Sequence, residues 1–212
     1  MPSRIFITGI GTDVGKSYAT GWLARELANQ GHNVITQKFI QTGNSDMSED
    51  IEVHRRIMGI SLQEADIAHI TAPVIFSYPA SPDLAARIDN KTLDLHVIEE
   101  ASQTLAARYD VVLIEGAGGI MVPLRNEYLT IDYITSHHLP TIVVTNGRLG
   151  SVSDTLLTLE AIRHRNIELY AVIYNPYFDR DATIAADSRI YMQEYIKRNF
   201  NNTLWLEMPE TL

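Results

Sequence analysis

Short apolar, β-branched runs recur along the chain at Ile5–Thr8, Val34–Lys38, Val111–Glu115, Thr141–Asn146 and Tyr170–Asn175, with segments of helical periodicity between them. Val111-Val112-Leu113-Ile114 and Ile142-Val143-Val144 are continuous rather than alternating, as strands covered on both faces must be. Covering helices are predicted at Ser17–Asn29, closed by Gly31, and at Leu95–Arg108, Ser151–His164 and Ala182–Arg198. In the last of these, Ile184, Ile190, Tyr191 and Tyr195 are expected to share one face. The alternation predicts an α/β fold: one domain over residues 1–212, built on a mostly parallel sheet with helices on both faces. From Gln41 to Pro82 strand signals thin out and turn residues accumulate, in Gly43-Asn44-Ser45 and Tyr78-Pro79-Ala80-Ser81-Pro82. This reads as an excursion beyond the sheet, where substrate contacts are expected.

Composition narrows the chemistry. With 212 residues, 45% hydrophobic and 20% charged, the chain is an ordinary folded globule able to bury a core. It has no cysteine, which excludes disulfides, thiolate metal sites, iron–sulfur clusters and a cysteine nucleophile. A net charge of -9 argues against a nucleic-acid partner. The basic residues are scattered, as Arg55-Arg56, Arg163 and Arg165, and Lys197-Arg198, and read as solvated helix faces. No apolar stretch has the length of a membrane span, and Met1-Pro2-Ser3-Arg4-Ile5 lacks the apolar core of a signal peptide, so a cytoplasmic protein without a membrane partner is expected.

The most specific feature is Gly9-Ile10-Gly11-Thr12-Asp13-Val14-Gly15-Lys16-Ser17, directly after the first strand and opening the first helix. This is a P-loop, with Ile10 where the leading glycine usually stands. Such a turn points backbone N–H groups and a helix N-terminus at a polyphosphate, with Lys16 directed at its β and γ phosphates and Ser17 at Mg²⁺. A second acid is needed to organise the ion. Glu115, ending a buried strand, is the first candidate, although a carboxylate there also suits a cap on the turn Gly116-Ala117-Gly118-Gly119. Asp50, at a helix start in Ser48-Glu49-Asp50-Ile51, is explained equally by capping and by metal binding. Lys38, near the end of the second strand, is either a surface lysine or a second cation for a phosphoryl group.

Taken together, these residues resemble the dethiobiotin synthetase family over nearly the whole chain. The resemblance rests on Thr8-Gly9 through Ser17, Lys38 with Gln41-Thr42-Gly43, Ser81-Pro82 with Leu84-Ala85-Ala86, and Glu115 to Gly119 with Pro123-Leu124. Leu149-Gly150, Leu156-Leu157-Thr158 and the strand-ending Asn175 complete it. It implies an ATP-dependent cyclo-ligase that makes dethiobiotin, ADP and phosphate from 7,8-diaminononanoate, CO₂ and MgATP through a carbamate and a carbamic-phosphoric anhydride. Carried over by position, Gly11, Thr12, Asp13, Val14, Gly15, Lys16, Ser17, Tyr18 and Asn175 would bind ATP, the last reading the adenine edge. Ser17, Asp50 and Glu115 would hold Mg²⁺, and Lys16, Lys38 and Thr12 would act in catalysis. Lys38, Thr42, Ser81 and Gly118 would meet the diamine or its carbamate. The helix start Gly150-Ser151-Val152-Ser153 would bind the substrate carboxylate across a homodimer with shared active sites, though N-capping explains Ser151 and Ser153 as well.

The chain departs from the family's usual pattern at Asp13, where glutamate is common, and at Phe39 and Asp83 in place of proline and histidine. Ser153-Asp154 replaces an Asn-His pair. Rival readings are a related P-loop ligase or kinase with another amine or carboxylate substrate, and a P-loop regulatory ATPase. The regulator would carry an extra lysine early in the loop, which Thr8-Gly9-Ile10-Gly11 does not offer. A GTPase would carry Asn-Lys-x-Asp, whereas Asn146 is followed by Gly147-Arg148-Leu149.

Overall fold

The computed structural model describes residues 1–210. In chain order the elements are β1 (Arg4–Gly9), α1 (Lys16–Asn29), β2 (Val34–Lys38), β3 (Gln41–Thr42), α2 (Glu49–Met58), α3 (Glu64–Ile67), β4 (Ile75–Phe76), α4 (Pro82–Ile88) and α5 (Leu95–Ala106). There follow β5 (Val111–Gly119), β6 (Pro123–Arg125), β7 (Tyr128–Leu129), α6 (Thr130–Ser136), β8 (Thr141–Asn146), α7 (Ser151–His164), β9 (Leu169–Asn175), α8 (Ala182–Asn199) and β10 (Leu204–Glu207). Six strands form one sheet in the order β10-β9-β8-β1-β5-β2, and every neighbouring pair is parallel. Two short ribbons, β3–β4 and β6–β7, lie outside it.

The pleat sorts the strand side chains into two cores. Ile5, Ile7, Leu113, Val111, Ile142, Val144 and Ile173 pack with Ala19, Trp22, Leu23 and Leu27 of α1. Phe6, Val112, Ile114, Val143 and Val172 face the other way, against Ile98 and Leu105 of α5, Ile131 and Ile134 of α6, Leu159 and Ile162 of α7 and Ile196 of α8. Continuous apolar strands are thus what two covered faces require. Helix ends follow local chemistry. Ser48 caps α2 by accepting from Ile51 N at 3.2 Å, the first turn carries Glu49, Asp50 and Glu52, and Gly59 closes the helix at φ 72°. Asp181 caps α8 by accepting from the Thr183 and Ile184 amides. No described helix is long and apolar enough to cross a membrane.

The structure corrects two expectations and adds one strand. The fifth strand runs on past Glu115 to Gly119, because Gly9 of β1 still pairs with Gly119 across an irregularity in the register. The edge strand β10 was not foreseen; it is short, and only Trp205 and Leu206 are half-buried. On α8 the covered positions are Ala185, Ser188, Met192 and Ile196, whereas Ile190 and Tyr191 are 58% and 51% exposed. The covered face thus mixes small and large residues, so size misleads as a guide to it.

Candidate functional site

The loop between β1 and α1 wraps the start of that helix. Gly15 sits at φ 86°, and a Cβ there would collide with the Asn175 side chain, so the chain can turn into α1 at that point only with glycine. No side chain caps α1 and no acid lies in its first turn, which leaves its leading N–H groups for an incoming anion. The Lys16 ammonium curls back to donate to Gly11 O at 2.8 Å. Burial draws the Lys16 pKa down to about 8, with Lys38 pushing the same way and Glu115, Asp50 and Asp13 opposing.

Beside the loop, β2 and β5 place Lys38 and Glu115 in register. Lys38 Nζ donates to Asp50 Oδ2 at 2.6 Å, Glu115 Oε1 at 2.9 Å and Gly116 O at 3.2 Å, using all three of its hydrogens. Ser17 Oγ lies 2.6 Å from Asp50 Oδ1 and 3.0 Å from Glu115 Oε1. Burial alone would lower the Lys38 pKa, but the two flanking carboxylates outweigh it and hold it above the ordinary lysine value. Burial alone would raise Glu115; the Lys38 charge and a hydrogen bond from His54 reverse this and keep it far below the usual carboxylate range. Lys38 is therefore no surface lysine, even though β2 is an edge strand. Asp50 and Glu115 are spent on this cluster rather than on capping. These groups open onto a cavity of about 1070 Å³, which Thr12, Asp13, Tyr18, Thr42, Ser81, Gly118 and Asn175 also line.

Residues 3–201 match a family model described as an AAA domain. The chain is 45% identical over 205 residues to a protein of Pasteurella multocida named ATP-dependent dethiobiotin synthetase, covering 97% of this chain and 96% of that one. To the protein of the same name from Haemophilus ducreyi it is 48% identical over 208 residues, covering 98% and 99%. This chain belongs to the dethiobiotin synthetase family. Among solved structures, a ParA family ATPase from Chlorobium tepidum superposes with a TM-score of 0.55 at 15% identity, covering 99% of this chain and 86% of that one, which shows a shared P-loop fold.

Within this member of the dethiobiotin synthetase family, the residues expected from the sequence fall into two groups. Thr12, Asp13, Gly15, Lys16, Ser17, Tyr18, Lys38, Thr42, Asp50, Ser81, Glu115, Gly118 and Asn175 meet around this cavity, whereas Val14 packs into the core and neither it nor Gly11 lines the cavity. The start of α7 does not line it among the described residues: Ser151 Oγ donates to Asn146 Oδ1 at 2.6 Å, Val152 is half-buried, and Ser153 is exposed. Asn175 has a bracing role that the sequence did not disclose. Its amide donates to Val14 O at 3.1 Å and its carbonyl accepts from Tyr177 N at 3.1 Å, leaving one amide hydrogen uncommitted. Arg55 is a further correction. It is 2% exposed and forked onto Asp66, not on a solvated face. Sequence reasoning also passed over His54, which is fully buried against Glu115.

Proposed function

We propose that this chain is an ATP-dependent cyclo-ligase that closes a ureido ring on 7,8-diaminononanoate, consuming CO₂ and ATP and releasing dethiobiotin, ADP and phosphate. One amine of the substrate adds to CO₂ and loses a proton, giving a carbamate. A carbamate oxygen then attacks the γ phosphorus and displaces ADP, and the second amine attacks the carbamoyl carbon and expels phosphate. The observation that carries this reading is the buried Lys38–Glu115 pair with half-buried Asp50 and Ser17 beside it, set against the uncapped start of α1. Two like unit charges 4 Å apart repel by about 4 kcal/mol near a protein surface, so a carbamate approaching a γ phosphate needs fixed cations between them. Lys16 and Lys38 have the position and the charge to serve.

The residues fit a magnesium ion. The ammoniums of Lys16 and Lys38 are outnumbered by the carboxylates of Asp13, Asp50 and Glu115, so a polyphosphate has to bring positive charge with it. Ser17, Asp50 and Glu115 offer only oxygen, and no three acids or histidines cluster as a cage among the described residues. This is the donor set of an ion that completes its shell from water and substrate phosphates. When bound, Mg²⁺ would neutralise charge on the β and γ phosphates. Thr12 and Asp13 lie open to the phosphates, Lys38 and Thr42 meet the carbamate, and Ser81 and Gly118 flank the diamine.

The substrate carboxylate is assigned to the α7 start, Gly150 to Ser153, of a second copy of the chain, which makes a homodimer with shared sites part of the reading. Leu149 at 87% exposure and Leu157 at 68% lie at and beside this start, which supports such a contact. The reading carries with it a cytoplasmic enzyme of small molecules. The test is incubation of the purified protein with the diamine, bicarbonate and MgATP, with mass spectrometry for dethiobiotin and ADP. Diamine-dependent appearance of both is expected. ATP hydrolysis without a diamine-dependent product would overturn the ligase reading in favour of a regulatory ATPase.

A further inference from the structure

Behind Glu115 lies a file of buried polar side chains that the proposed reaction leaves without a part. His54 reaches Thr36 Oγ1 at 2.9 Å through Nδ1 and Glu115 Oε2 at 2.6 Å through Nε2. Arg55 Nη1 donates to the same Thr36 hydroxyl at 2.8 Å. The rest of the guanidinium fork grips Asp66, Nε to Oδ2 at 2.8 Å and Nη2 to Oδ1 at 2.7 Å. Asp66 is held in turn by Thr71 Oγ1 and the Gln63 amide, each at 2.7 Å. Gly21 of α1 makes the approach possible. A Cβ there would come within 3.2 Å of His54 Cα and 3.1 Å of Ile57 Cβ, so any side chain at this position would press α2 outward by a few tenths of an ångström.

The donor count sets a direction. Arginine only donates, so the Thr36 oxygen accepts from Arg55, and its own proton finds its acceptor at His54 Nδ1. A ring nitrogen that accepts carries no hydrogen, which puts the imidazole hydrogen on Nε2, aimed at Glu115 Oε2. A hydrogen on Nδ1, in the other neutral tautomer or in the imidazolium, would strand the Thr36 proton in the interior, and the neutral form would also set a nitrogen lone pair against a carboxylate oxygen. With Oε2 taken, only Oε1 turns toward Ser17 and Lys38.

We propose that Arg55, Thr36 and His54, with Asp66 anchoring the guanidinium, form a hydrogen-bond relay running one way from Arg55 that fixes the Glu115 carboxylate, and that His54 is a positioning residue for cation-dependent nucleotide binding. The proposal rests on the reading of Glu115 as a magnesium-side carboxylate. In ¹⁵N NMR of the nucleotide-free protein, His54, assigned by its loss in His54→Gln, is expected as the Nε2–H tautomer. A hydrogen on Nδ1 would overturn the relay without any variant having to fold. In calorimetric titration of a non-hydrolysable ATP analogue at graded Mg²⁺, His54→Leu is expected to raise the half-saturating Mg²⁺ concentration roughly tenfold. Affinity in the absence of Mg²⁺ should not change. His54→Gln, which keeps an N–H near the place of Nε2, should recover most of the loss; Thr36→Val should reproduce it and Thr36→Ser relieve it. If Glu115→Gln alters the Mg²⁺ dependence and His54→Leu does not, the relay is wrong and the metal reading stands. If Glu115→Gln leaves it unaltered, the metal reading itself fails and the relay with it.

Discussion

Two cross-strand pairs stand at the carboxyl end of the sheet: Lys38 opposite Glu115 on β2 and β5, and Asn146 opposite Asn175 on β8 and β9. All four side chains are buried. The first pair is ionic and shares its charge with Asp50, Ser17 and His54. The second is made of neutral amides, each bonded to a neighbouring loop: Asn146 to Ser151 and the Arg148 amide, Asn175 to Val14 and the Tyr177 amide. Charge in the interior is costly unless it is matched, so it is found where a charged ligand would repay it; amides suffice where the need is only to hold a turn. One half of the sheet end supplies electrostatics and the other supplies shape.

The contrast can be broken first by activity. Lys38→Met and Lys16→Met should each lower the rate of dethiobiotin formation by about a hundred- to a thousandfold, the scale of losing a group that stabilises transition-state charge. Asn175→Ala, measured in the same steady-state assay, should cost no more than about tenfold, because it removes neutral hydrogen bonds of about 1 kcal/mol each. Equal losses in both halves would erase the distinction. Stability should divide the same way in urea unfolding. Lys38→Met leaves Glu115 buried without its main counter-ion and is expected to cost about 3–5 kcal/mol, whereas Asn146→Ala should cost about 1–3 kcal/mol.

A pH series sharpens the ionic side. Lys16 in the folded chain titrates at about 8, below the 10.5 of a free lysine. Between those values the unfolded chain holds more protons, so this group makes stability rise with pH. Binding moves oppositely, since only the charged amine attracts phosphate, and ATP affinity should fall as pH climbs through about 8. Nucleotide titration should find that decline flattened in Lys16→Arg, whose guanidinium stays charged. The smallest effect belongs to the surface: Arg87, paired with Asp83 one helical turn away and 67% exposed, should change stability by less than about 0.5 kcal/mol on replacement by alanine.

What the sequence made legible was whatever is written locally. Strand, glycine turn and Gly-Lys-Ser adjoin in the chain, so the phosphate loop could be placed without tertiary knowledge, and Glu115 follows four apolar residues that mark a buried strand. Lys38 and Asp50 were visible as candidates but stayed open, because their meaning depends on a meeting across 77 and 33 positions of chain, to Glu115 and to Ser17. His54 and Arg55 were hidden for a different reason. Adjacent polar residues on a short helix with acids in its first turn look solvated, and only the packing of α2 on α1 across Gly21 turns them inward. The strand β10 eluded pattern reading because an edge strand with half-exposed side chains carries little hydrophobic signal.

The central place of β1 has a consequence for biosynthesis. Its two sheet neighbours, β5 and β8, end at Gly119 and Asn146, while the phosphate loop it feeds starts at Gly9. A ribosome therefore delivers that loop well before β5 and β8, its lateral supports. Through that interval the loop lacks both of the strands that flank β1 in the finished sheet.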